Sequence, residues 1–277
     1  MDLIHTVEKL RERLAPESAI AFVPTMGNLH AGHIALVEEA RRHGGCVVAS
    51  IFVNRLQFEP GGDFDRYPRT LEEDCRRLEA AGCDVVFAPD EQELYPAPQE
   101  IVLAPPKSAA QLCGDFRPGH FQGVVTVVAK LFNIVRPHVA VFGRKDYQQL
   151  FVIRELVAQL NYPVRIVGVE TRRDPDGLAM SSRNGYLSAP ERAEAVRLTR
   201  NLEAVVAAIR SGRRDFDALC ESATADLTGA GWRVDYVAVR NRSRLAVPQA
   251  GDRDLVVLGA AWLGRTRLID NREADSP

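Results

Sequence analysis

The chain has 277 residues, 46% of them hydrophobic, and a formal net charge of −2 at pH 7, which predicts one large or two modest domains. The near-neutral charge argues against a nucleic-acid partner, and no apolar run is long enough to span a membrane. The five cysteines are odd in number and form no C-x-x-C pair, which argues against a disulfide framework or zinc site and predicts a cytoplasmic protein with reduced thiols.

Strand-like and helix-like segments alternate through the first two thirds of the chain. Continuous apolar runs predict buried strands at 20–23, 47–53, 85–88, 139–142 and 166–169. Helical patterns lie between them, at 34–42, 71–81, 124–135 and 148–160. This alternation predicts a parallel sheet with helices on both faces, in which ligands bind beyond the carboxyl ends of the strands.

The pattern changes after the turn-rich stretch 174–177, DPDG. Helices are predicted at 191–210 and 216–227, and strands at 234–239, 255–258 and 260–269. Helices followed by strands predict a smaller α+β domain. We therefore expect two domains, residues 1–175 and residues 176–277.

The stretch 24–33, PTMGNLHAGH, lies where the first of these strands turns into the first helix. Backbone N–H groups at a helix N-terminus attract phosphate. Gly27 and Gly32 permit close approach of a ligand, and His30 and His33 can donate hydrogen bonds to a phosphoryl group. This context predicts attack on a nucleotide phosphate without a covalent protein intermediate, although histidines near helix starts are also common as caps.

Polar side chains also follow other predicted strands. Asn54 and Gln57 are amides that can bind a carboxylate or hydroxyl, or simply cap the loop. Lys145 is placed to reach phosphate oxygens, and Asp146 to cap the next helix or bind a ribose hydroxyl. The loop 180–184, MSSRN, has two hydroxyls and a guanidinium that suit phosphate, or is a solvated serine-rich turn.

Two further groups of residues receive a mainly structural interpretation. Acidic side chains at the start of the 71–81 helix, Glu73 and Asp74 among them, are typical helix-dipole partners. Together with Asp63 and Asp65, they are also candidates for binding magnesium through water. His120, in the stretch RPGHFQG, has no identifiable partner and is interpreted as structural.

Together these motifs resemble the pantoate–β-alanine ligase family. The matching pieces run in order from residue 24 to 271: PTMGNLHAGH, SIFVNRLQF, YPRTLEEDC, RPGHFQGV, GRKDYQQL, MSSRNGYLS and AAWLGRTRLIDN. The resemblance implies a Rossmann-like N-terminal domain and a smaller C-terminal lid domain. It also implies a homodimer built through the N-terminal domains.

The resemblance implies a reaction in two steps. Pantoate carboxylate attacks the α-phosphate of Mg-ATP and gives pantoyl adenylate and pyrophosphate. The amine of β-alanine then attacks the acyl adenylate, which gives pantothenate and AMP. ATP is a substrate in this scheme, and Mg²⁺ accompanies it.

The same resemblance assigns roles to individual residues. Those implied in catalysis are His30, His33, Lys145 and Arg183, with His33 as the proton donor. Those implied in ATP binding are Met26, Gly27, Asn28, Leu29, His30, Ala31, Gly32, His33, Gly143, Arg144, Lys145, Asp146, Arg172, Met180, Ser181, Ser182 and Arg183. Those implied in pantoate binding are Thr25, Met26, Gln57 and Gln149, with Gln57 also near β-alanine. Those implied near magnesium, through water, are Glu73 and Asp74.

The chain departs from the family pattern at two positions. Arg55 stands where proline is expected, and Arg144 stands where an acidic residue is expected before the lysine. Neither change removes a group that performs the chemistry.

Three other functions suit these residues less well. A cytidylyltransferase should offer more cationic side chains for a phosphorylated substrate, whereas the pair Gln57 and Gln149 suits a small hydroxy acid. A non-catalytic nucleotide-binding module has no need for two histidines, a lysine and an arginine together. An aminoacyl-tRNA synthetase is disfavoured by length and by the absence of a basic anticodon-type domain.

Overall fold

The computed structural model describes residues 1–59, 61–62 and 64–276. Asp63, one of the magnesium candidates, lies outside the described residues. The chain forms two compact units. The first comprises Met1–Arg144 and Gln149–Glu170, and the second comprises Lys145–Gln148 and the chain from Thr171 onward. The predicted boundary lay between residues 175 and 176, and the assignment of binding and lid functions to the two parts stays a prediction.

The first unit is built on a six-stranded parallel sheet. Its strands are β1 (Asp2–Ile4), β2 (Ile20–Thr25), β3 (Cys46–Ile51), β4 (Val85–Phe87), β5 (Val139–Gly143) and β6 (Arg165–Val169). They lie in the order β1-β4-β3-β2-β5-β6. The chain moves outward in one direction from β2 through β3 and β4, and then returns to the other side of β2. This order places the topological switch point, where such sheets bind ligands, between β2 and β5.

Helices connect the strands of this sheet. Their bounds are α1 (Val7–Leu14), α2 (Ala31–Ala40), α3 (Leu71–Ala80), α4 (Glu91–Leu94), α5 (Cys113–Phe116), α6 (His120–Val135) and α7 (Tyr147–Gln159), the last of which begins in the second unit. Most residues of β2, β3 and β5 are buried, as expected where both faces of a sheet are covered. The predicted parallel sheet with helices on both faces is confirmed. The sequence patterns do not predict β1 or the helices α1, α4 and α5.

The second unit is a three-stranded antiparallel sheet packed against helices. Its elements are α8 (Ala189–Glu194), α9 (Val196–Arg210), α10 (Phe216–Gly229), β7 (Arg233–Asn241), β8 (Asp254–Leu263) and β9 (Thr266–Asp275). Side chains of α9, α10 and the strands form one apolar core, to which Leu202, Leu219 and Val257 belong. The predicted smaller α+β domain is confirmed.

Two details of the predicted second unit were wrong. The helix expected over 191–210 is divided at Ala195 into α8 and α9. The break expected at Gly259 lies instead at Gly264, between β8 and β9. A Cβ on Gly259 would lie 3.0 Å from Leu198 and 3.1 Å from Leu202, so this glycine allows α9 to pack closely on an uninterrupted strand.

None of the helices in the described part of the chain combines the length and the hydropathy needed to span a bilayer. Each of the five cysteines is a free thiol.

Candidate active site

The loop between β2 and α2 is shaped by two residues with positive φ. Gly27 has φ +84° and Asn28 has φ +51°. The preceding Thr25 fixes the start of the loop, because its hydroxyl donates to the Ser50 carbonyl (2.7 Å) and accepts from the Gly27 N–H (3.2 Å). A Cβ on Gly27 would lie 3.1 Å from a carboxylate oxygen of Asp74 and from Ile51, so glycine suits the position on two counts.

Asp74, on α3, anchors the middle of this loop. Its carboxylate accepts from the Asn28 N–H (2.9 Å), the Leu29 N–H (2.7 Å) and the Thr70 hydroxyl (3.1 Å). The residue is only 1% exposed. Arg77, one turn later, donates to the Leu29 carbonyl (2.6 Å), so α3 holds the loop from both its N–H and its C=O groups.

The two histidines at the start of α2 are held in one tautomer. His30 Nδ1 accepts from the Gly32 N–H (3.1 Å), and His33 Nδ1 accepts from the His30 N–H (3.2 Å). A neutral imidazole whose Nδ1 accepts carries its proton on Nε2. The ring centroids lie 4.1 Å apart. The helix N-terminus therefore carries two neighbouring imidazoles whose Nε2–H groups are donors.

Gln57 lies in a short 3₁₀ helix after β3, Arg55–Gln57. Its Nε2 donates to the Met26 sulfur at 2.9 Å, which joins this side chain to the β2–α2 loop. His120, at the start of α6, contacts the Gln57 carbonyl through Nδ1 (2.8 Å), and Arg117 is within hydrogen-bond distance of the other ring nitrogen (3.1 Å). These contacts agree with a structural role for His120.

The remaining predicted residues of the first unit lie at the end of β5 and on α7. Gly143 is the last residue of β5, and Gln149 lies half-buried in the first turn of α7. Arg144 forms an ion pair with Glu170. Arg55, the other departure from the family pattern, donates to Glu91 (2.9 Å) and stacks over the Phe64 ring at 3.9 Å. Both arginines thus have acidic partners within their own unit.

In the second unit, one loop holds several predicted phosphate ligands. The Ser181 hydroxyl accepts from the Arg183 N–H (3.2 Å), and Met180 N–H donates to the Arg172 carbonyl (3.0 Å). Ser182 begins a 3₁₀ helix, Ser182–Tyr186. Predicted ligands and neighbouring residues of this unit line a small cavity: Lys145, Leu178, Ala179, Ser181, Asn184, Leu198, Thr199, Leu268, Ile269 and Asp270.

Asp270 and Asn271, on β9, fix the surroundings of this cavity. Asp270 is 4% exposed and binds the guanidinium of Arg173 through two hydrogen bonds of 2.8 Å. It also accepts from the Thr199 hydroxyl at 2.7 Å. The Asn271 amide donates to the Lys145 carbonyl at 2.8 Å. Lys145 is therefore tied to the C-terminal sheet, although it lies only two residues after the end of β5 in sequence.

The two carboxylates predicted near magnesium through water both have partners within the protein, and the metal role stays a prediction. The oxygens of Asp74 face three hydrogen-bond donors of the protein. Glu73 is bound by Arg77 and Arg76, which hold its pKa below the usual value. Among the residues that the structure describes, no group of three or more His, Cys, Asp or Glu side chains is arranged to hold a metal ion.

The residues that position the predicted ligands are not evident from the sequence patterns. From its position in the sequence, Asp74 is expected to serve the helix dipole or magnesium, and Asn271 is only part of a matching motif. Asn184, which lines the second-unit cavity, has a buried Oδ1 without a hydrogen-bond partner and was not assigned. The signal available for Asp74 was the T-x-x-x-D spacing at the start of α3, which carries no information about a loop more than 40 residues earlier.

Comparison with known proteins decides the family. A family model described as Pantoate-beta-alanine ligase matches residues 2–273. The chain belongs to the pantoate–β-alanine ligase family.

Curated relatives and solved structures agree with this family. The chain is 63% identical to the pantothenate synthetase of Thiobacillus denitrificans, over 100% of this chain and 98% of the relative. It is 58% identical to that of Neisseria meningitidis, over 100% of both chains.

The fold is also that of solved family members. The crystal structure of pantothenate synthetase from Thermus thermophilus superimposes with a TM-score of 0.94 at 44% identity, covering 98% of this chain and 99% of that one. The Francisella tularensis pantoate-beta-alanine ligase, complexed with beta-gamma ATP and beta-alanine, gives a TM-score of 0.80 at 31% identity, covering 98% and 97%.

Proposed function

We propose that this chain condenses (R)-pantoate with β-alanine at the expense of ATP, through a pantoyl-adenylate intermediate, and releases AMP and pyrophosphate. Membership of the pantoate–β-alanine ligase family supports this reaction. The observation that carries it in the structure is the pair His30 and His33, both with Nδ1 accepting a backbone N–H at the first turn of α2. This pair presents two donors to a phosphoryl group at the sheet edge where ligands bind.

The chemistry requires activation of a carboxylate. A carboxylate oxygen is a poor leaving group towards an amine until adenylation converts it into part of AMP. Phosphoryl chemistry of this kind needs mainly positioning and charge stabilisation. Imidazole N–H groups, a lysine, an arginine and a helix N-terminus supply both, and no protein nucleophile is needed.

The proposed roles divide between the two units. In the first, His30 and His33 bind ATP phosphates, with His33 as the proton donor, and the backbone from Met26 to Gly32 lies along the nucleotide. Gln57 and Gln149 bind pantoate with Thr25 and Met26, and Gln57 also serves β-alanine. In the second, the phosphate ligands are Lys145, Ser181, Ser182 and Arg183, and the other nucleotide contacts are Asp146, Arg172 and Met180. Gly143 and Arg144 are the remaining residues proposed to bind the nucleotide.

Further parts of the proposal concern the metal, the assembly and the compartment. Mg²⁺ accompanies ATP in this proposal, and any contact of Glu73 or Asp74 with it is through water. The homodimer through N-terminal domains rests on the family resemblance. A reducing, cytoplasmic compartment suits the free thiols, and burial raises the pKa of the Cys46 thiol to about 11.

The decisive experiment is isotope exchange between pyrophosphate and ATP with pantoate present and β-alanine absent. Formation of pantoyl adenylate is reversible, so labelled pyrophosphate should enter ATP only when pantoate is added. Addition of β-alanine should then yield AMP and pantothenate in equal amounts.

Other outcomes distinguish the alternatives. A cytidylyltransferase would show no pantoate-dependent exchange with ATP, and a binding module would show no exchange with any substrate. Product formation only when all three substrates are present, without exchange, would refute the isolated adenylate while preserving the ligase assignment.

A further inference from the structure

A chain of hydrogen bonds within the first unit leads from a tyrosine to the predicted pantoate ligand Gln57. The Tyr95 hydroxyl donates to Asn54 Oδ1 at 2.9 Å. Asn54 Nδ2 donates in turn to Gln57 Oε1 at 3.2 Å and to the Gly123 carbonyl at 3.2 Å. Asn54 is 1% exposed, so water has little access to its amide.

The chemistry of the two ends fixes the direction of this chain. The carbonyl of Gly123 can only accept, so it requires the NH₂ group of Asn54 on its side. The oxygen of Asn54 then faces Tyr95, whose hydroxyl must donate. Burial raises the pKa of Tyr95, so the hydroxyl keeps the proton that it donates.

The ring of Tyr95 is itself held by its neighbours. It packs against the Phe52 ring, with centroids 5.8 Å apart, and the ammonium of Lys130 lies 4.6 Å from its centroid. Lys130 is fixed by a hydrogen bond of 2.9 Å to Gln99. These contacts fix the ring of Tyr95, and its hydroxyl is therefore held in place beside Asn54.

The consequence is a defined orientation of the Gln57 amide. Because Oε1 accepts from Asn54, the group that Gln57 presents elsewhere is its NH₂. This NH₂ group donates to the Met26 sulfur, which is a weak acceptor. A carboxylate or alcohol oxygen of a substrate can accept from this NH₂ group in place of the sulfur at little cost. A substrate hydroxyl that must donate its proton finds no acceptor in this NH₂ group.

We propose that Tyr95 is a positioning residue for the acid substrate, because through Asn54 it holds Gln57 as a hydrogen-bond donor towards an acceptor oxygen of pantoate. The inference rests on the proposed function, which supplies pantoate as the ligand of Gln57. Tyr95 acts through Asn54 and Gln57 and needs no contact with the substrate.

The test is Tyr95→Phe, which deletes one oxygen and keeps the ring. Asn54 Oδ1 is then left without its donor, and the amide keeps only its Nδ2 contacts to the Gly123 carbonyl and Gln57, so the orientation of Gln57 is held less firmly. The pantoate KM should rise about 2–10-fold, the range expected for one hydrogen bond, while the ATP KM and kcat stay unchanged. Tyr162→Phe is the matched control, since Tyr162 packs on Phe132 in the same unit, outside this chain of hydrogen bonds.

A mutant cycle separates positioning from general structural damage. In a Gln57→Ala background, Tyr95→Phe should raise the pantoate KM no further, because the group that it orients is gone. Additive effects of the two substitutions, an unchanged pantoate KM, or equal losses in all kinetic constants would each overturn the inference. This holds even if Tyr95→Phe lowers the thermal midpoint of unfolding. If wild-type enzyme shows no pantoate-dependent exchange, the proposed function fails. If wild-type enzyme uses pantoate and Tyr95→Phe does not alter its KM, only the positioning role fails.

Discussion

Two loops with predicted phosphate ligands, one in each unit, are each anchored by a single buried aspartate. In the first unit, Asp74 accepts two backbone N–H groups from the loop that leads to His30 and His33. In the second, Asp270 binds the guanidinium of Arg173, whose backbone pairs with Ala179 just before the serine-rich loop. The same residue type therefore holds neutral donors in one loop and a largely buried cation beside the other.

The difference predicts unequal sensitivity to the loss of the carboxylate. Removing the Asp74 carboxylate eliminates its hydrogen bonds to neutral backbone N–H groups. If the loop shifts, those N–H groups can donate to water instead. Removing the acceptor from a buried guanidinium leaves a positive charge in a poorly solvated place. Arg173 and Asp270 have side chains only 15% and 2% exposed, so the second unit should suffer more.

The largest expected effect is that of Asp270→Asn on stability. Breaking a buried pair by removing one partner costs about 3–5 kcal/mol, since Arg173 keeps its charge. Urea unfolding monitored by tryptophan fluorescence measures it, because Trp232 and Trp262 both belong to the second unit. Asp215→Asn, in an exposed pair with Arg213, is the control and should change the free energy of unfolding far less than Asp270→Asn does. Equal losses for the two variants would contradict the comparison.

His33→Ala should have the next largest effect, on the rate. Loss of one preorganised donor to a developing phosphoryl charge lowers kcat by about 10²–10³, equivalent to about 2.7–4 kcal/mol. His43, just beyond the end of the same helix, pairs with Glu39, and His43→Ala should leave kcat unchanged. Steady-state kinetics with a folded His33→Ala enzyme near wild-type rate would refute the assignment.

Asp74→Asn should have a smaller effect than either. The amide keeps one acceptor oxygen but turns an NH₂ towards the loop, which should cost about 1.5–3 kcal/mol of stability. Since the loop leads to both histidines, kcat/KM should fall about tenfold as well. A metal role predicts something different, namely unchanged stability and a higher Mg²⁺ concentration for half-maximal activity. Measuring unfolding and a Mg²⁺ titration on the same variant decides between them.

The fold was largely predictable because its strong signals are local. Apolar runs locate β2, β3, β4 and β5, since strands covered on both faces need continuous hydrophobic residues. The missed β1 has three residues, exposed or half-buried, and exists through its pairing with β4. The misplaced turn at Gly259 has the same origin, because only the packing of α9 shows that this glycine marks a close approach rather than a chain reversal.

The candidate site was predictable only in part. Histidines, lysine and serines stand in short motifs, so their positions follow from the sequence. Their supports do not, because Asp74 lies 45 residues from Leu29, and Asp270 lies 97 residues from Arg173. Which oxygen or nitrogen of Gln57 faces outward is likewise fixed by Tyr95 and Gly123, which no spacing rule connects to it.

The smallest expected effect concerns a surface pair beside the second loop, and it sharpens the contrast with Asp270. Arg192 donates to Asp176 at 2.6 Å, and this hydrogen bond lowers the pKa of Asp176 from its ordinary value of 3.8. Because the folded-state pKa is depressed, the unfolded chain takes up the proton first as the pH falls. The stabilisation is therefore complete well above pH 3.8 and is lost as the pH falls through the folded pKa.

Exposure limits the size of this contribution. Asp176 has a side chain 41% exposed, so solvent screening should hold the effect to at most about 1 kcal/mol. Urea unfolding of wild type and Asp176→Asn between about pH 3 and 7 should show a small constant difference at about pH 5 to 7 that vanishes below the folded pKa, and added salt should shrink it. A difference as large as that of Asp270→Asn, or one that grows on acidification, would show that burial does not decide how much each aspartate contributes.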